Sequence, residues 1–215
     1  MVLVCFAVRQ EARPFQKECA AAREGITVLI TGMGKVNAER AVEGVLRAEK
    51  PELVLTCGFA GGLRPGLESG AVIYDAKGGQ ALEQELDAAG ARKGRFAFSD
   101  RVATTAAEKQ RLWQQTSADA VEMESQAVCA MCQRRGVPTV IVRVILDTAE
   151  EDLPLNFNEL LTADQSMNYA KLAAALLRSP GKIRSLLRLQ RQSRAAAERL
   201  GGVLHQFLRK PRNSP

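Results

Sequence analysis

Three carboxylates stand where apolar runs give out: Glu11 after "VLVCFAV" (2–8), Glu124 within "AVEMES" (120–125), and Asp147 after "TVIVRVIL" (139–146). Acids at strand ends are suited to acid/base work on a small molecule, one carboxyl delivering a proton while another withdraws one. The chemistry has to proceed without an obvious imidazole, because the one histidine, His205, lies near the far end of the chain. Each acid alone has an ordinary explanation, since a carboxylate after a strand often caps or opens a helix. The two glycine turns, "GMGK" (32–35) and "GFAGG" (58–62), are also weak singly, and "GMGK" has the spacing of neither nucleotide-phosphate fingerprint. The combination and its order along the chain point to a site.

The elements that must position these groups can be read from periodicity. Short β-branched runs at 2–8, 26–34, 52–63, 71–76 and 139–146 predict buried strands. Apolar spacing in "KVNAERAVEGVLRAEK" (35–50) predicts a helix stopped by Pro51, and further helices are expected at 106–115, 125–135, 157–178 and 182–208. Residues 95–104 read as a strand, whereas 77–94 give no clear pattern. Strands alternating with helices predict an α/β protein with helices on both faces of its sheet. In such sheets ligands collect at the carboxyl ends of the strands, where the three acids stand.

At 215 residues the chain is long enough for one sizeable domain. No apolar run is long enough to span a bilayer, and no charged start precedes a small-residue cleavage site, so a cytoplasmic protein is expected. The five cysteines fall mostly in apolar runs, and Cys129-x-x-Cys132 has neither a second pair nor a nearby histidine, so buried thiols are expected rather than a metal site. The net charge of +6 is concentrated at the end: residues 181–215 carry nine Lys/Arg and one Glu, leaving the first 180 residues at −2. That division suggests a domain over 1–180 and a basic amphipathic helical extension over 181–215.

Several segments in order, "AVRQEA" (7–12), "TGMGKVNAERA" (31–41), "CGFAGGLRPGLESGAVI" (57–73), "VEMES" (121–125), "VPTVIVRVILD" (137–147) and "LNFNELL" (155–161), resemble the nucleoside phosphorylase/nucleosidase superfamily. The resemblance is strongest to its 5′-methylthioadenosine/S-adenosylhomocysteine nucleosidase branch. It implies a three-layer phosphorylase/hydrolase-like fold with a central mixed sheet, cleavage of an N-ribosidic bond through an oxocarbenium-like transition state, and no metal or cofactor. By the same resemblance Asp147 would supply the proton at purine N7 and Glu11 would position and deprotonate water. Glu124 would hold the ribose hydroxyls and Met123 would pack on the sugar. Phe59, Ala60 and Gly61 would line the substrate, and Val102 would lie against the base. Glu122 is a further substrate contact, although a helix-start role explains it equally well. The substrate would be a nucleoside, and a homodimer is implied.

The sequence departs from the branch at Thr56 and Phe59, where phosphate-binding members carry an arginine and a serine, and at Leu146, usually a serine. Arg9 is the only obvious cation near the first turns, which argues for water rather than phosphate as nucleophile. The reading is a hydrolase releasing adenine from a 5′-substituted adenosine, with a nucleoside phosphorylase and a non-catalytic nucleoside-binding protein as alternatives. The middle region, 77–104, is shorter than in the branch, which implies an open 5′ end. In the tail, Ile183, Leu186, Leu187, Leu189, Leu200, Leu204 and Leu208 interleave with basic residues. This pattern fits a helix packed on the domain with a solvated basic face, or one touching an anionic membrane. The tail is similar to that of the hopanoid-associated nucleosidase/phosphorylase branch, which releases adenine from an adenosyl-lipid. No aromatic interleaving suggests nucleic acid.

Overall fold

The computed structural model describes residues 1–19, 25–76, 79–162, 168–179 and 181–209. Its centre is a mixed eight-stranded sheet. Three apolar runs form adjacent parallel strands, β1 (Val2–Phe6), β2 (Ile26–Ile30) and β3 (Leu53–Gly62), with β1 in the middle. Next to β3 lies β8 (Thr139–Asp147), also parallel to it, and then β4 (Val72–Ala76), antiparallel to β8, and the short β5 (Arg92–Lys93). β6 (Phe96–Phe98) and β7 (Ala120–Glu122) attach to the far end of β3 through Gly61 and Gly62.

Alternation along the strands divides the core into two layers. Val2, Val4 and Phe6 with Val140, Val142 and Val144 face α1 (Arg9–Cys19), α3 (Gln80–Ala88) and the second half of α8 (Lys182–Leu208). Leu3, Cys5 and Val54 face α2 (Lys35–Ala48) and α5 (Ser125–Arg134). The α8 residues Leu200, Val203, Leu204 and Phe207 are buried in the first layer, each such side chain contributing roughly 1.5–3 kcal/mol. A Cβ on Gly201 would stand 3.0 Å from the Phe15 amide nitrogen. The glycine thus lets α8 press against α1, the helix that carries Glu11.

Three expectations change. The unclear stretch contains α3 and β5, with residues 77 and 78 outside the described set. The strand expected over 95–104 is limited to Phe96–Phe98, because Ser99 Oγ bonds back to the Arg101 carbonyl and turns the chain. The helix expected over 157–178 is α6 (Phe157–Leu160) and α7 (Tyr169–Arg178), with 163–167 outside the described set. The periodicity reading also missed α1, whose Pro14 interrupts an otherwise helical pattern. The boundary residue Pro180 and residues 210–215 of the tail lie outside the described residues. Among the described residues no helix is long and apolar enough to cross a membrane.

Candidate active site

Parallel β1, β3 and β8 end together, so the segments that follow them meet. Glu11, in the first turn of α1, turns back over β3: Oε2 accepts from the Val8 amide at 3.1 Å and Oε1 from the Phe59 amide at 2.9 Å. A Cβ on Gly58 would lie 2.8 Å from Glu11 Oε1, so only glycine admits this carboxylate. Burial pushes the Glu11 carboxyl up to about 7, with the Phe59 amide and Arg143 pulling the other way.

β7 ends at Glu122, and α5 begins at Ser125. Glu124 Oε1 accepts from the Gly34 amide at 2.8 Å, which joins the "GMGK" turn at the start of α2 to the "VEMES" segment. Burial raises the Glu124 carboxyl, opposed by Arg143. Met123 is half-buried between the two glutamates. Glu122 behaves differently from its neighbour. Its carboxylate accepts from the amides of Glu124 and Ser125, from Ser125 Oγ, and from Arg143. With those acceptor positions used inside the protein, Glu122 opens α5 and holds Arg143 rather than facing a ligand. Of the two roles its place in the sequence offers, this geometry is that of the helix start.

Sequence reasoning missed Arg143. It lies in the middle of β8 and is 2% exposed. Because side chains alternate along a strand, it shares its face with Ile145, whereas the bulge after Ile145 re-aims Asp147. Nη2 pairs with Glu122, donates to Ser125 Oγ at 2.8 Å, and stands 3.7 Å from Glu124 Oε2. Nε and Nη1 have no hydrogen-bond partner. Burial alone would weaken this guanidinium as a base, but Glu122 and Glu124 outweigh it and hold its proton more tightly. Arg143, not the exposed Arg9, is therefore the cation built into this end of the site. Thr56 and Ser125 share a buried hydrogen bond just behind it. The signal was present in the sequence: a lone cation inside "TVIVRVIL" must be paired if the strand is buried.

Asp147 ends β8. The β3–β8 register shifts by a bulge between Ala60 and Gly61, which sets Gly61 opposite Asp147, and bulges of this kind re-aim side chains next to sites. Phe59 is half-buried and contributes its amide to Glu11, while Ala60 is buried. Asp147 Oδ2 forms an ion pair with Lys109 of α4 (Ala106–Thr116), whose side chain is wholly buried. Burial raises the Asp147 carboxyl and Lys109 opposes the rise. Val102 is half-buried on the segment before α4. Its N–H and C=O both bond to the Asn158 carboxamide, at 2.9 Å each. The Leu153 amide donates to Thr104 O, which ties this segment to the loop that follows Asp147. Among the described residues no cluster of His, Cys, Asp and Glu is arranged to hold a metal.

The site therefore has two ends on one sheet edge: Glu11, Glu124 and Arg143 at one, Asp147 at the other. A mixed α/β sheet that gathers buried acids in this way has the groups that acid/base chemistry on a small molecule needs. The chain belongs to the phosphorylase superfamily, whose family model matches residues 14–74 and 70–178. The 5′-methylthioadenosine/S-adenosylhomocysteine nucleosidase of Actinobacillus succinogenes is 29% identical over 172 residues, covering 64% of this chain and 74% of its own. The nucleosidase of that name from Exiguobacterium sp. is 27% identical over 191 residues, covering 70% and 79%. Among solved structures, futalosine hydrolase of Helicobacter pylori matches with a TM-score of 0.71 at 17% identity over 97% of each chain. The Neisseria meningitidis nucleosidase in complex with methylthio-immucillin-A matches with a TM-score of 0.69 at 18% identity, over 96% of this chain and 97% of its own. These structural likenesses establish the fold.

Proposed function

We propose that the protein is an N-ribosyl hydrolase releasing adenine from a 5′-substituted adenosine. The observation that carries this reading is the charge balance at the ribose end, where Glu11, Glu122 and Glu124 surround one arginine. A negative field favours the cationic sugar of an oxocarbenium-like transition state and repels a phosphate dianion. A cavity of about 10 Å³ lined by Glu124, Arg143 and Thr56 has room for about one water molecule and not for phosphate.

In this mechanism the C1′–N9 bond breaks with its electron pair going to the base, and Asp147 gives its proton to N7. Water adds to C1′ as Glu11, ionised above about pH 7, takes the water proton. The proton on Glu11 then returns through solvent to Asp147. Glu124 accepts from the ribose hydroxyls, and its charge stabilises the sugar cation. Met123 packs on the sugar, while Phe59, Ala60, Gly61 and Val102 line the substrate. Relatives that carry the nucleosidase name support the reaction class. We assign the enzyme to the cytoplasm as a homodimer, for which the exposed Val36 at the start of α2 offers an apolar contact.

A second reading, a lipid-linked adenosyl substrate met at an anionic membrane, is favoured by one observation. Arg188 of α8 stands 3.8 Å from Glu151, in the loop after Asp147. The contact sets the half of α8 that exposes Ile183 and Leu187 beside that loop. Chromatographic detection of free base tests both readings, using adenosine, inosine and 5′-substituted adenosines, one of them with a long apolar chain, each with and without phosphate. Base release without phosphate is expected. Release only with phosphate overturns the hydrolase, and nucleoside binding without release from any of them points to a binding protein.

A further inference from the structure

Lys109 is the one fully buried lysine among the described residues, and nothing in the hydrolytic scheme above uses it. Its helix offers no reason to bury a cation. α4 is otherwise polar, and its first turn is secured elsewhere: Thr105 and Glu108 form a capping box, and Asp152 accepts from the Ala106 amide at 2.7 Å. The ammonium group reaches across to the end of β8. Besides pairing with Asp147 Oδ2, Nζ donates to Thr148 O and to Glu151 O, each at 2.7 Å. Two carbonyls take two of the three N–H bonds of the ammonium, which leaves the third on the side of the paired carboxylate. Both carbonyls belong to the loop that follows Asp147, so the loop and the carboxyl are held by one atom.

Resting on the hydrolase reading, we propose that Lys109 is the positioning residue of the general acid: it holds Asp147 through Oδ2 and dedicates Oδ1 to the leaving base. The two oxygens of a carboxylic acid differ, one carrying the proton and the other accepting. An ammonium donating to Oδ2 excludes the proton from that oxygen and assigns it to Oδ1. When Oδ1 gives its proton to N7, a carboxylate is left in a buried place, which is costly without a partner. Lys109 already stands there as its counter-ion, so the charge formed in the step meets a preorganised cation and requires no rearrangement. Burial and Lys109 thus act in opposite senses. Burial favours the protonated form of Asp147, and Lys109 favours the anion. The charged groups acting on Asp147 from the elements around it are Lys109 on α4 and Glu151 on the following loop, the latter favouring the protonated form.

The test compares the pH dependence of base release in the wild type, Lys109→Met, Lys109→Arg and Asp147→Asn. Because Lys109 lowers the Asp147 pKa, its removal should move the alkaline limb of kcat to higher pH. It should also lower kcat about 10- to 100-fold through misplacement of the acid, with KM changed less than about threefold. Lys109→Arg keeps the charge, so it should leave the limb in place and recover part of kcat. A loss of kcat in Lys109→Met with no movement of the limb would mean that the lysine only supports the fold, and would overturn the proposal. If Lys109→Met does not fold, the ¹⁵Nζ resonance of Lys109 in the wild-type protein carries the test: it should shift at the pH of the alkaline limb, and a resonance that does not respond overturns the proposal. Asp147→Asn separates the two levels of argument. Unchanged turnover in that variant sinks the hydrolytic mechanism itself. Lost turnover there, together with wild-type behaviour of Lys109→Met, sinks only the role of Lys109.

Discussion

Arg143 and Lys109 are both buried cations beside carboxylates, but they are used in opposite proportions. At the ribose end one guanidinium is shared by Glu122 and Glu124, with Glu11 close enough to feel its charge. At the base end Asp147 has an ammonium to itself. Burial raises the Glu11 and Glu124 carboxyls against the pull of Arg143, and the surplus of acids over one cation favours a negative field there. The matched lysine faces a single acid, which in the proposed mechanism would lose and regain a proton. Arg143 meets its partners through Nη2 alone, with Nε and Nη1 making no hydrogen bond. The lysine acts as a point charge with three donors.

The strongest way to break this comparison is to remove the shared cation. Arg143→Met strands Glu122 in the core, and the expected loss of stability is about 3–5 kcal/mol, read by chemical denaturation. Glu122→Gln in the same chain should restore part of it. Simple additivity of the two changes would show that the pair is not coupled.

Next in size is the charge that faces the sugar. Glu124→Gln keeps the shape of the side chain and can still accept from the Gly34 amide, but it removes the negative charge. Single-turnover measurements should show a fall of about 100-fold in the chemical step, equivalent to about 2.7 kcal/mol. A change confined to KM would reduce Glu124 to a ground-state contact.

Glu11 gives a smaller effect whose sign depends on pH. Its folded pKa of about 7 lies above the ordinary 4.5. The associated stability is therefore complete below 4.5 and is lost as pH rises through 7. That difference amounts to about 3 kcal/mol. Glu11→Gln removes the ionisation but turns an amide N–H toward one of the two backbone donors, costing about 1–2 kcal/mol. The variant should be less stable than wild type in acid and more stable, by about 1–2 kcal/mol, in alkali. Denaturation curves on both sides of pH 7 check the crossover. Wild-type base release should rise with pH through the same range as Glu11 becomes available as a base.

The acids of both ends were legible in the sequence because each stands where an apolar run stops. The sheet was legible for the same reason, as five of its strands are apolar runs bounded by glycine, proline or charge. Arg143 was equally visible, but the run around it is so apolar that its one cation does not stand out among strand residues. Glu122 and Glu124 could not be separated by sequence: two positions apart, they differ only in whether amides or open space surround the carboxylate. Lys109 left no signal. It sits among Glu108, Gln110 and Arg111 on a helix of outward aspect. Its burial depends on the loop after Asp147 folding over it, through contacts across 39 and 42 positions of sequence that no periodicity encodes.

The two halves of α8 repeat the contrast on the surface, and the difference there is smallest in energy. From Ala196 onward the helix is part of the core, whereas Ile183 and Leu187 are 44% and 49% exposed among Lys182, Arg184 and Arg188. Ile183→Ser with Leu187→Ser should change stability by less than about 0.5 kcal/mol, because neither side chain is packed. Turnover of a short 5′-substituted adenosine in solution should be unaffected. If this half-helix meets an anionic membrane, the double variant should sediment less with vesicles containing acidic phospholipid and should lose its advantage on a substrate with a long apolar 5′ chain. The apolar part of that binding should survive high salt while the arginine part is screened, so salt titration separates the two. Equal sedimentation of wild type and variant would leave the exposed leucine and isoleucine as ordinary surface residues.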